Sequence, residues 1–206
     1  MSAFAPIVFS RKPSPHVVLF ALAGILPVSS IAFHCSGILS LGNCLLFVIV
    51  PMVTLAFVTG FADRTLLKLV FRGWISGIVA VAVYDLSRIP FVYAGWDDFI
   101  PHISSWLVKD NTHPYLLGYA WRYFGNGGGL GIVFFLLANH FSWKKYIVIN
   151  AVTFGLFVYT GLLALLIFFP DAQQLMFKIT PLSFFGGLVG HVAYGFVLGK
   201  TLIYVR

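Results

Sequence analysis

Six apolar stretches, at residues 16–33, 38–62, 73–95, 115–141, 146–170 and 183–203, leave this chain few ways to fold. Each is about long enough to cross a hydrocarbon layer ~30 Å thick. Inside such a layer there is no water to bond an exposed N–H or C=O, so a spanning segment satisfies its backbone internally by coiling into a helix. A soluble fold is a poor alternative: 60% of the residues are hydrophobic and 9% charged, whereas soluble domains carry about 25% charged residues. The expectation is an all-α integral membrane protein, a bundle of six transmembrane helices forming a single polytopic domain over residues 1–206.

The segments between the stretches alternate in charge. Arg11 and Lys12 precede the first, Arg64, Lys68 and Arg72 lie in the loop between the second and third, Lys144 and Lys145 stand between the fourth and fifth, and Lys200 and Arg206 close the chain. The intervening loops carry only Lys109 and Lys178. Nine cations against two is the positive-inside asymmetry and places both termini in the cytoplasm. The net charge of +7 does not point to nucleic acid, because the cations are spread among helix ends rather than gathered on one face. A rim facing anionic lipid accounts for it, with the lipid bilayer as the first partner. Trp74, Trp96, Trp106 and Trp143 fall at the expected boundaries, where amphipathic rings settle. An alternative for the first stretch is a cleaved signal peptide, with Arg11 and Lys12 before an apolar core and Val28-Ser29-Ser30 as small residues for cleavage. Cys35 and Cys44 bracket the first external turn, either as a disulfide or as two buried thiols, without the spacing of a zinc or redox motif.

The widest gap between stretches, from Asp97 to Pro114, is external. Within it Phe99, Ile100, Ile103, Trp106 and Leu107 recur at helical spacing behind Asp98 as an N-cap, which predicts a short amphipathic helix on the outer face. The fourth stretch contains Gly125-Asn126-Gly127-Gly128-Gly129-Leu130-Gly131. Its spacing fits neither the dinucleotide nor the Walker pattern. Two membrane readings stand: close packing through small residues, or a helix unwound to expose backbone to a ligand. The sixth stretch repeats the spacing with Gly186 to Gly190 and Gly195 to Gly199, so stretches four and six are expected to pack together.

Four ionisable residues, Asp85, Arg88, Arg122 and His191, fall deep inside the stretches, away from their ends. At 1.5 Å per residue, Asp85 and Arg88 lie ~12 and ~8 Å below the outer boundary, Arg122 ~10 Å and His191 ~12 Å, so all four share one layer. Asp85 and Arg88, three apart, share a helix face. Tyr119 and Asn126 share a face with Arg122, and Tyr194 accompanies His191. Charged groups at such depth face a partner, a cavity or the surface. One reading is an outward-opening pocket of Asp85, Arg88, Tyr119, Arg122, Asn126, His191 and Tyr194, in which two positive charges against one negative favour an anionic small molecule or lipid headgroup. Arg122 would be the main contact, since a guanidinium matches carboxylate and phosphate, and Asp85 and His191 would exchange protons. The other reading is a structural clasp, with Asp85 bridging both arginines and His191 bonded to a backbone carbonyl.

These residues support a small permease or binding protein for an anionic or amphiphilic solute. The alternative is a non-catalytic accessory or assembly subunit, meeting a membrane-protein partner or another copy of itself; an enzyme acting on lipid or isoprenoid comes third. No catalytic set is visible. The chain has no glutamate, which excludes a di-iron carboxylate bundle, and it has no His-x-x-x-His box and no nucleophile elbow. His34, His102, His113, Asp97, Asp98 and Asp110 lie outside the membrane without metal-ligand spacing, so no metal site is expected, and the sequence names no cofactor. Gly190-His191-Val192-Ala193-Tyr194-Gly195 through Gly199 resembles the C-terminal span of small bacterial inner-membrane proteins, which implies a bacterial inner (plasma) membrane location and no activity. Under the pocket reading, Arg122→Leu abolishes solute binding; under the clasp reading it changes stability alone.

Overall fold

The computed structural model describes residues 12–108 and 115–205; Arg11, Lys109, Asp110, His113 and Arg206 lie outside them. The described residues contain helices and no strand. In chain order these are α1 (Pro15–Cys35), α2 (Leu41–Gly60), α3 (Arg64–Tyr93), α4 (Ile100–Val108) and α5 (Tyr115–Ala120). A π-helical stretch, Trp121–Gly127, carries α5 without interruption into α6 (Gly128–His140). Then come α7 (Ile147–Phe168), a short α8 (Pro170–Leu175) and α9 (Pro181–Val205). A second π stretch, Leu45–Ile49, lies within α2.

Five of these helices, α1, α2, α3, α7 and α9, are long and apolar enough to cross a membrane. Residues 115–140 form another long helical path, less apolar because Arg122, Asn126 and six glycines dilute it. Large apolar side chains such as Phe47, Val58, Leu86 and Phe157 cover the outside of the bundle, as suits a surface solvated by lipid. α1 is part of the bundle, burying Phe20, Gly24 and Pro27. Cys35 and Cys44 are buried free thiols.

Local signals set the helix ends. Ser14 caps α1, accepting from the Val17 amide at 3.4 Å, with Pro15 at its first position. Asp63 caps α3, accepting from the Leu66 amide at 2.9 Å. That cap starts α3 at Arg64, nine residues before the apolar stretch begins, so Arg64, Lys68 and Arg72 ride on its first turns rather than in a loop. The reason is simple: the α-helix needs apolar residues only where it meets lipid, and Lys, Arg and Leu propagate it equally well in water. Trp96 also departs from expectation. It is 5% exposed, packed edge-on to Phe177 rather than placed in the interface. The α4 helix is not a free surface element either, for Ile100 and Ile103 are fully buried and the Ser104 hydroxyl accepts from the Gly118 amide at 2.8 Å.

Packed neighbours run in the order α2, α1, α6, α3, α9, α7, a curved row with α3 near its centre. Glycines set the spacing. A Cβ on Gly77 would run into the Gly127 carbonyl and one on Gly131 into the Gly73 carbonyl, while one on Gly24 would lie 2.6 Å from the Gly129 oxygen. The glycine-rich stretch is thus a packing surface for α3 on one side and α1 on the other. It does not pair with α9, as the repeated spacing suggested. The glycines of α9 face elsewhere, with Gly195 and Gly199 against the backbone of α7 and Gly190 under the ring of Tyr84. Periodicity marks a face but does not name its partner.

Gly161 of α7 is different, since a Cβ there meets nothing within 4 Å. Two substitutions should therefore diverge. Gly131→Ala overpacks α6 against α3 and is expected to cost about 1–3 kcal/mol or more. Gly161→Ala removes unfolded-state freedom at no steric cost and should be neutral or stabilising by up to about 1 kcal/mol. Thermal unfolding of both purified variants checks this; equal behaviour would mean the glycine contacts do not set the helix spacing.

Candidate functional site

Arg122 sits in the π stretch and turns its guanidinium onto Asp85 of α3. Its Nε donates to the two carboxylate oxygens at 2.8 and 3.0 Å, and Nη2 donates to Oδ1 at 2.6 Å. The cation lies 4.5 Å from the ring centroid of Tyr84, the residue before Asp85, so charge and π face are both matched. Arg88, one turn along α3, leaves its Nε 3.8 Å from Asp85 Oδ1 and gives its short contact to Asp98, Nη2 donating to Oδ1 at 2.9 Å. Asp98 also accepts from the Ile100 amide at 3.1 Å, which starts α4, and from the Tyr119 hydroxyl at 3.2 Å. Both arginines point into the bundle, Arg88 5% exposed and Arg122 9%.

Asp98 is the residue that sequence reasoning undervalued. Assigned only a cap, it supplies a second carboxylate, so Arg88 and Arg122 meet Asp85 and Asp98 and the cluster balances at zero. The excess positive charge expected to attract an anion is absent. The signal was the Arg88 to Asp98 separation of ten residues across a turn, where Gly95 at φ +106° reverses the chain.

The π stretch has a second effect. Two of its carbonyls accept hydrogen bonds from side chains of neighbouring helices. Trp74 Nε1 donates to the Phe124 carbonyl at 3.0 Å, and the Tyr194 hydroxyl of α9 donates to the Gly127 carbonyl at 2.8 Å. On α9, His191 Nδ1 lies 2.7 Å from the Gly187 carbonyl. A carbonyl only accepts, so Nδ1 carries the proton. The imidazole is wedged between Tyr84, edge-on with centroids 5.1 Å apart, and Tyr159 at 4.9 Å. The stacked contacts thus bring Asp85, Arg122 and His191 to one level.

Beside this level lies a cavity of about 450 Å³. Its walls are apolar, Ile25, Val28 and Ala32 of α1 facing Val158, Leu162 and Leu165 of α7, and one end is polar, formed by Arg122, Asn126, His191 and Tyr194. Asp85, Arg88 and Tyr119 do not line it. Ile25, Phe157, Thr160 and Gly161 are exposed at its rim, so it opens sideways between the two helices. The expected residues therefore fall into two groups: an ion network of Asp85, Arg88, Arg122, Asp98 and Tyr119, and a cavity end to which only Arg122 is common. Asn126 Oδ1 is buried without a hydrogen-bond partner, an unusual state for a polar atom. Among the described residues no three His, Cys, Asp or Glu side chains gather as metal ligands.

Because Arg122 is committed to Asp85, Arg122→Leu tests more than binding. The single variant strands a carboxylate inside the bundle and is expected to lose about 3–5 kcal/mol, whereas Arg122→Leu with Asp85→Leu should recover most of it. Unfolding of the parent, both single variants and the double variant gives the coupling directly. A double variant as unstable as the singles would mean the pair is not what holds α3 to the π stretch.

No protein family, no curated protein and no solved structure matches this chain, so the chemistry of the site rests on its own residues.

Proposed function

We propose that this chain is a six-span inner-membrane protein with both termini cytoplasmic, and that it binds an amphiphilic solute in the cleft between α1 and α7. The solute's apolar part runs along the cleft walls, and its polar part meets Arg122, Asn126, His191 and Tyr194. The cavity, about 450 Å³ with apolar walls and a few polar groups at one end, has the size and character of small-molecule sites. Its lateral rim suits a ligand arriving from the bilayer. The balanced charges favour an amphiphile over a free anion, which would gain no net Coulomb attraction on leaving water. Binding of this kind serves either a small permease or a carrier-like binding protein.

Gly161 is the observation that carries this reading. A glycine within a helix costs about 0.5–1 kcal/mol relative to alanine, and here no neighbour requires its small size. What it does is leave the cleft open at the rim. Gly161→Trp places a large ring at this rim, starting from a position where a Cβ meets nothing within 4 Å. The parent, released in mild detergent, is expected to carry a bound amphiphile by native mass spectrometry, and the variant to lack it at an unchanged unfolding temperature. The same bound mass on both proteins would sink the cleft.

The topology is tested separately. Both native thiols are buried, so a membrane-impermeant maleimide should label Asp97→Cys on intact cells and Lys145→Cys only after permeabilisation. The opposite pattern would invert the orientation.

A further inference from the structure

Resting on the cleft as the binding site, the hydrogen-bond directions at its polar end say what kind of head group fits. His191 Nδ1 spends its proton on the Gly187 carbonyl at 2.7 Å, which leaves Nε2 of the neutral imidazole as an acceptor with no protein donor. Tyr194 spends its proton on the Gly127 carbonyl at 2.8 Å, so its phenol oxygen also only accepts. Thr160, at the rim, gives its proton to the Leu156 carbonyl at 2.9 Å. Asn126 Oδ1 is a further acceptor without a donor. The Arg122 guanidinium has Nε and Nη2 bonded to Asp85, while its Nη1 is not bonded to Asp85 and the buried Trp96 Nε1, also in the lining, has no acceptor. The lining thus offers unpartnered acceptors together with donors, which a hydroxyl, donor and acceptor at once, can meet.

We infer that the cleft selects an uncharged amphiphile whose head donates a hydrogen bond, the simplest being a single hydroxyl on an apolar chain, with His191 Nε2 as the acceptor that reads it. A carboxylate or phosphate can meet the remaining donors but leaves the His191 and Asn126 acceptors unpaired, and it brings a charge that Asp85 has already forestalled. An ammonium head has donors but brings a charge that no carboxylate in the cleft lining neutralises. An ester or ether head has nothing to donate. The imidazole is suited to this task because the Gly187 bond and the two flanking tyrosine rings fix its tautomer and orientation before any ligand arrives. Long-chain alcohols, polyprenols and diacylglycerols all carry this chemistry.

Three probes of equal chain length separate the head groups: hexadecan-1-ol, its methyl ether and palmitate. Each is titrated into the protein in lipid nanodiscs and read by native mass spectrometry. A hydrogen bond made to an otherwise unpartnered acceptor predicts that the alcohol binds about tenfold more tightly than the ether, with palmitate no better than the ether. His191→Phe keeps an aromatic ring but has no acceptor, and should bring alcohol and ether within about twofold of each other. An ether that binds the parent as well as the alcohol, or palmitate binding most tightly, would overturn the head-group assignment while leaving the cleft in place. Failure of the parent to bind any of the three would overturn the cleft itself. If His191→Phe does not fold, the ranking of the three probes on the parent decides alone. Replacing hexadecan-1-ol with a polyprenol or a diacylglycerol in the same assay then distinguishes the biological sources of the hydroxyl.

Discussion

The contact between Arg122 and Asp85 determines how the two halves of this bundle meet. A guanidinium at this depth is tolerated only with acceptors in place, and the carboxylate of α3 supplies them in a bidentate geometry. Arg122 makes this contact from within the π stretch Trp121–Gly127. Two backbone carbonyls of the same stretch accept hydrogen bonds from Trp74 and Tyr194. One ion pair is thereby linked to three helices: α3 through Asp85 and Trp74, the 115–140 helix through its own backbone, and α9 through Tyr194. The glycine contacts between α3 and α6 allow the backbones to come close enough for these bonds. Removing the pair would leave both the carboxylate and the distortion without a purpose.

Much of this was legible in the sequence, and what was not has a physical reason. Length and apolarity marked the long helices, because a bilayer imposes both at once. They did not mark the start of α3, since the bilayer makes no demand on the turns that leave it. Depth counting put Asp85, Arg88, Arg122 and His191 in one layer; in the fold, the ring of Tyr84 contacts both the Arg122 guanidinium and the His191 imidazole. The partner of Arg88 was hidden because Asp98 reaches it around a reversal at Gly95, a relation without periodicity. The cleft was hidden for a related reason. Val158, Leu162 and Leu165 carry no polar signal in the sequence, and only the order of helices in the row shows that they face α1 across a gap.

The two readings drawn from the sequence, a pocket and a clasp, turn out to concern different residues. Asp85, Arg88, Asp98 and Tyr119 satisfy one another and have no surface in the cavity. Asn126, His191 and Tyr194 line the cavity and form no ion pair. Arg122 belongs to both, with two nitrogens on Asp85 and its side chain at the cavity end. This division changes how the site treats charge. A free arginine beside an apolar cleft would act as an anion trap. An arginine already neutralised acts instead as a rigid polar wall, whose field is cancelled at close range by its carboxylate.

That rigidity bears on how selectivity arises in a cleft open to lipid. Any apolar chain gains little by moving from bilayer to protein, because both are equally dry, so the walls alone cannot discriminate. Discrimination falls to the few polar atoms, and it is sharpest where the ligand completes a hydrogen bond that the protein cannot make for itself. His191 Nε2 and Asn126 Oδ1 are such atoms, held in place by packing that exists without a ligand. A lipid lacking a donor would leave both acceptors unpaired. On the proposed reading, the open rim at Gly161 would admit many amphiphiles, and the polar end would retain those with a hydrogen bond to donate.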